Sequence, residues 1–153
     1  MTTNCPALTA LFGRLFLAAI FLLSGFGKIA DWSGTSAAME KQGMVAVPVF
    51  LAGAIALEIL GGLSLLLGFM ARWGAACLII FLVPATIIFH DFWVIEEGMA
   101  RMNQLQHFMK NLALMGGLLM VAAFGAGRFS LDYLRARKAS THVPEREELM
   151  LTH

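Results

Sequence analysis

The chain has 153 residues, of which 59% are hydrophobic and 14% charged, with a mean hydropathy of +0.76 and a formal net charge of +1. That length accommodates four helical membrane crossings, short loops and one tail, which excludes a second soluble domain, and the near-neutral charge offers no basic face to nucleic-acid phosphates. Cys5 and Cys77 form neither a Cys-x-x-Cys pair nor a Cys/His metal spacing, so no dithiol or metal chemistry is expected.

The first apolar run, residues 8–30, reads as a retained transmembrane helix. No Lys or Arg precedes Arg14, and Ser24-Gly25-Phe26-Gly27 offers no small-x-small cleavage site, so the run lacks the marks of a signal peptide. The second run spans 48–70 and opens on Pro48, a residue suited to a first helical turn. Ala71-Arg72-Trp73 leaves only a short connection, so the third run, 73–93, returns antiparallel to the second. Residues 94–106 carry Glu96, Glu97, Gly98, Arg101, Asn103 and Gln104 and read as a polar loop or surface helix. The fourth run is 108–127. The expected fold is all-α, a four-transmembrane-helix antiparallel bundle forming one membrane domain over 1–140. Residues 141–153 form a Glu- and Arg-containing tail to which no chemistry is assigned.

Four crossings put both termini on one side of the membrane. Arg14, Arg72, Arg128, Arg135, Arg137, Lys138 and Arg146 belong to the terminus side, against Lys28, Lys41, Arg101 and Lys110 opposite. That excess places both termini in the cytoplasm. A weak internal echo accompanies the pattern. Leu57-Glu58-Ile59-Leu60-Gly61-Gly62-Leu63 resembles Leu112-Ala113-Leu114-Met115-Gly116-Gly117-Leu118, and Asp31-Trp32 and Asp91-Phe92-Trp93 follow the first and third runs. Either two related hairpins or chance recurrence in a Gly- and Leu-rich chain accounts for it.

The ionisable residues inside these runs are the functional candidates. Glu58 is the sole charge between Gly43 and Met70 and falls near the bilayer midplane, where a carboxylate must be protonated, paired or open to water. Arg14, Ala18, Phe21, Gly25 and Lys28 follow helical spacing, so one stripe carrying both charges should face the bundle interior. Lys28, His90, Lys110 and Asn111 fall at similar depth near the non-cytoplasmic ends of their helices, with Asp91 adjacent. One interpretation is a polar pocket opening to that side, in which cations hold an anion or a quinone-like carbonyl and Glu58 or His90 moves a proton. The competing interpretation is interfacial, with snorkelling lysines and a belt of His and Trp. His90 and His107 lie near one membrane face, but neither is set deep enough in a helix to favour haem ligation.

Several pieces occur in order: Arg14; Ser24-Gly25-Phe26-Gly27-Lys28; Glu58 with Gly61-Gly62, Leu67-Gly68 and Arg72; Phe89-His90-Asp91-Phe92-Trp93; Lys110-Asn111-Leu112-Ala113-Leu114-Met115-Gly116-Gly117-Leu118; and Gly125 to Asp132. Together they resemble the DoxX family of small bacterial inner-membrane proteins over nearly the whole chain. The resemblance implies a multi-pass protein of the bacterial inner membrane, related to the membrane subunit of a thiosulfate:quinone oxidoreductase. It singles out Arg14, Lys28, Glu58, Arg72, His90, Lys110 and Asn111. The resulting expectation is a quinone-linked redox subunit, with Glu58 and His90 moving protons and Arg14, Lys28, Asp91, Lys110 and Asn111 binding substrate. A bound quinone is the one cofactor suggested. The expected partners are the lipid bilayer, a redox subunit and further copies of the chain. The alternative is a non-enzymatic membrane scaffold or small-solute carrier.

Overall fold

A computed structural model describes residues 5–141, which form six α-helices and one short 3-10 turn. The helices are α1 (Cys5–Ala30), α2 (Trp32–Lys41), α3 (Val47–Leu67), α4 (Ala71–Phe89), α5 (Met99–Phe124) and α6 (Leu131–Thr141), with the 3-10 turn at Phe92–Val94. Four of them, α1, α3, α4 and α5, are long and apolar enough to cross a membrane. A helix pairs most of its backbone polar groups internally, the condition that hydrocarbon imposes on a spanning segment. The tail expected from 142 onward lies outside the described residues.

The four long helices form a ring. α1 packs along α3, α3 on α4 and α4 on α5, and a lighter contact between α5 and α1 closes it. Glycine sets several of these approaches. A Cβ on Gly61 would stand 2.6 Å from Leu78 Cγ, one on Gly62 2.8 Å from Leu22 Cγ, and one on Gly25 2.9 Å from Ile59 Cγ1. The helices can therefore touch only because these positions lack a side chain. The anticipated stripe on α1 is observed: Arg14, Ala18, Phe21 and Gly25 are buried.

Two apolar clusters organise the interior. The larger joins Ala18, Phe21, Leu65, Ala75, Leu78, Leu82 and Leu118. The smaller, at the end holding the α1–α3 connection, joins Met39, Val47, Leu51 and Ile55, with Phe89 packed against it.

The boundaries depart from the sequence expectation in three places. Residues 99–106, the greater part of the 94–106 segment anticipated as loop or surface helix, continue the fourth span as the first turns of α5. Polar Asn103, Gln104 and Gln106 tolerate a helix that extends beyond the apolar run. α2 arises because Asp31 caps its start, accepting a hydrogen bond from the Gly34 amide at 3.1 Å. Similarly, Ser130 Oγ accepts from the Tyr133 amide at 3.2 Å at the start of α6. Neither short helix has the long apolar run that marks the four spans.

Candidate functional site

The end of the bundle holding the α1–α3 and α4–α5 connections contains a cavity of 960 Å³. It lies between the two apolar clusters, with Phe21 and Leu82 of one and Met39 and Leu51 of the other in its wall. Lys28, Glu58, His90, Lys110 and Asn111 all line it, drawn from α1, α3, α5 and the residue ending α4. Residues from four parts of the chain, each costly to leave in hydrocarbon, are thereby gathered around one space.

Its most strongly polar wall is a closed triangle. Lys28 Nζ lies 2.9 Å from both Glu58 Oε1 and Glu58 Oε2, so the ammonium straddles the carboxylate. It also donates to Ser24 Oγ at 2.6 Å, and Ser24 Oγ in turn donates to Glu58 Oε1 at 3.0 Å. Ser24 stands one helical turn before Lys28, and helical side chains lean toward the helix N-terminus. That lean carries the Lys28 amine down past Ser24 into the bundle. It therefore does not snorkel to the surface. The Glu58 side chain is 5% exposed and that of Lys28 25% exposed, so the ammonium is the more accessible member of the pair.

A second polar contact, between α4 and α5, is neutral. Asn111 Nδ2 donates to Thr86 Oγ1 at 3.0 Å, and that hydroxyl donates to the Leu82 carbonyl at 2.6 Å. Both residues are buried. At the rim, His90 Nδ1 lies 2.8 Å from Gln104 Oε1. Because the amide oxygen can only accept, Nδ1 is the donor in this contact. The His90 and His107 rings stack, with centroids 5.2 Å apart and planes 22° from parallel, an arrangement that does not aim their nitrogens at a shared iron. Among the described residues no group of three or more His, Cys, Asp or Glu could hold a metal ion.

Two expected site residues stand apart. Asp91 lies next to His90 but is not in the cavity wall. Arg14 is at the far end of α1, where it is buried and donates to the carbonyls of Ala126 and, at 2.8 Å, Phe129. Asp132 completes this second polar centre, accepting from the amides of Met70 at 2.8 Å and Ala71 at 3.0 Å and so capping α4. Gly68 fits beneath it with φ of 63°, where a Cβ would run into both Arg14 and Ser130. Ser24, Thr86 and Gln104 are the polar partners that sequence reasoning did not single out as site residues. Spacing offered a signal for two of them: Ser24 precedes Lys28 by four, and Thr86 precedes His90 by four.

The DoxX family model matches residues 9–91, taking in Arg14, Lys28, Glu58 and His90. The chain belongs to the DoxX family. The SURF4 family model also matches, over residues 53–138. Among its relatives, inner membrane protein YqjF of Escherichia coli K12 is 37% identical over 129 residues, covering 84% of this chain and 92% of that protein. Inner membrane protein YphA of the same organism is 28% identical over 122 residues, covering 80% and 86%. A Surfeit locus protein 4 homolog of Schizosaccharomyces pombe is 36% identical over 67 residues, covering 43% of this chain and 22% of the relative. No solved structure matches. The four long helices and these relatives identify a multi-pass inner-membrane protein.

Proposed function

We propose that this DoxX-family protein is a membrane subunit that binds a quinone-like molecule in the cavity and handles protons for its reduction or oxidation, with electrons exchanged through a redox partner. One observation carries the reading. Lys28 and Glu58 form a hydrogen-bonded ion pair in the wall of a largely apolar cavity, where a purely structural pair would be enclosed by packed side chains. The cavity's 960 Å³ and its apolar walls suit a neutral ring, and donors stand on two sides, the Lys28 ammonium and the Asn111 amide. A bound quinone would supply the two-electron, two-proton couple.

The residues divide the remaining work. By giving up one of its three hydrogen bonds to Ser24 and Glu58, Lys28 can donate to a carbonyl oxygen that enters the cavity and pass on a proton that Glu58 helps it regain. Glu58, with Ser24 fixing one of its oxygens, holds the positive charge in place and accepts a proton in the reverse direction. His90, at the rim with Nδ1 held by Gln104, can relay protons between the cavity and the aqueous face. Lys110 adds a cation to the same wall. The Lys/Arg asymmetry supports termini in the cytoplasm and a cavity end that faces outward. Reporter fusions test that orientation: a fusion after His153 should report cytoplasm and an insertion near Gly98 the opposite side.

Analysis of lipid extracted from the purified protein tests the function. Quinone should accompany the wild-type chain and be depleted from Asn111→Leu, which loses only the small stability of its bond to Thr86 and remains folded. Quinone-free wild-type protein that also fails to take up added decyl-ubiquinone would favour the scaffold or solute-carrier alternative.

A further inference from the structure

The cavity wall contains two kinds of residue that a closed pocket would not combine. Glu58, Leu51, Leu82 and Asn111 are buried, yet the same continuous space is bordered by Phe50 at 54% and Leu57 at 40% exposure on the outer face of α3. On α4 the border includes exposed Ile88. The cavity therefore runs from the bundle interior to the lipid-facing surface between α3 and α4.

The register of these two helices locates the opening. Gly61 meets Leu78 and Gly74 meets Ser64 across the antiparallel pair, so residues 53 and 54 stand opposite 84–86. Below that level the helices are in contact through Gly61 and Leu78. Above it, Phe89 packs against the cluster containing Val47 and Leu51. Between them lie Gly53 and Ala54 on one side and Pro84 and Ala85 on the other, all in the cavity wall. Gly53 differs from the glycines that permit helix contact, because a Cβ there would meet nothing within 4 Å. Its lack of a side chain leaves a gap. Pro84 lies inside α4, where its missing N–H removes one rung of the helical ladder and frees the Ile80 carbonyl. The helix is least constrained to follow α3 at the level of the gap. Five residues separate Gly53 from mid-helix Glu58, about 7 Å along the axis, which keeps the gap within the hydrocarbon layer.

We propose that this gap is a lateral portal through which the hydrocarbon chain of a membrane-dissolved amphiphile enters the cavity, while its polar head rests near Lys28, Glu58 and Asn111. The position of the head rests on the ligand reading above; the portal itself rests on the geometry of α3 and α4. Entry from the bilayer suits the walls, because an apolar chain gains nothing by leaving lipid for water on its way to a site at this depth. It also gives the small residues at 53, 54 and 85 a role that packing does not.

Photolabelling of the full-length protein in phosphatidylcholine nanodiscs, using a palmitic acid analogue with a mid-chain diazirine, tests the portal without assuming the identity of the natural ligand. Wild-type protein should carry adducts on buried Leu51, Glu58 and Leu82 as well as on Leu60, which is 67% exposed on the outer face of α3. Gly53→Phe and Ala85→Phe should each reduce the interior adducts to background and leave Leu60 labelled, with the melting temperature unchanged. Adducts confined to outward-facing residues in the wild type, or interior labelling unaltered in both variants, would overturn the portal. Portal-dependent interior labelling in a protein that binds no quinone would instead overturn only the quinone reading.

Discussion

The two ends of the bundle resolve the same physical problem differently. Each buries charge at a depth where water is scarce. At the end holding the start of α1 and the α3–α4 connection, Arg14 is surrounded: its guanidinium donates to two backbone carbonyls, Asp132 caps α4 beside it, and Gly68 leaves no room for more than a hydrogen. At the other end, Lys28 and Glu58 satisfy one another, but the space next to them is left open. A buried charge alone therefore does not mark a site. What distinguishes the second centre is that the packing around its charges stops short, and helices free to close over them do not.

Breaking the closed end should cost most. Arg14→Met removes two charge-assisted hydrogen bonds and strands the Ala126 and Phe129 carbonyls, a loss on the order of 4 kcal/mol. Unfolding in mixed detergent micelles should register it, whereas quinone binding by the fraction that remains folded should be unchanged. Next comes Glu58→Gln, which leaves Lys28 without its counter-charge. Because the Lys28 side chain is a quarter exposed, the cost should be about 2–3 kcal/mol, below that of a fully enclosed pair. The neutral pair Lys28→Met with Glu58→Leu should recover stability to within about 1 kcal/mol of wild type, since apolar residues can replace a buried ion pair. A pair required for folding would show no such recovery.

Smaller effects sharpen the contrast. Gly61→Val forces a side chain against Leu78 and should destabilise by about 2 kcal/mol in the same assay. Gly53→Ala, on the same helix but facing the gap, should be neutral or slightly stabilising, because alanine is the better helix former. Thr86→Val should cost about 1 kcal/mol or less by removing the acceptor of the Asn111 amide. Equal losses at Gly53 and Gly61 would mean that α3 and α4 are as well packed at the gap as below it.

Much of this organisation was legible in the sequence because hydrocarbon constrains it so strongly. Four apolar runs could only be spanning helices, and the spacing of Arg14, Ala18, Phe21 and Gly25 could only present one face. Glu58 was identifiable because no other charge accompanies it in its run, whereas a pocket shared with Lys28, His90, Lys110 and Asn111 was one of two arrangements that their depths allowed. Partners were harder to read. The depth of the Lys28 backbone near the end of α1 suits either an inward or an outward side chain, and only the place of Glu58 across the α1–α3 contact decides between them. Arg14 finds its partners more than 110 residues away, in backbone carbonyls that carry no signal of residue type. The portal was illegible for the same reason: Gly53 and Gly61 look alike in a glycine-rich run until the neighbouring helix shows which has a contact.

The central claim is that the Lys28–Glu58 wall recognises a ligand in addition to stabilising the bundle. Equilibrium binding of decyl-ubiquinone to nanodisc-embedded wild type and to the Lys28→Met/Glu58→Leu variant tests it most directly. The account predicts saturable binding to the wild type and affinity weakened by about tenfold or more in a variant of near-native stability, the equivalent of losing one good hydrogen bond. Equal affinity in the two proteins, or no saturable binding to the wild type, would contradict it.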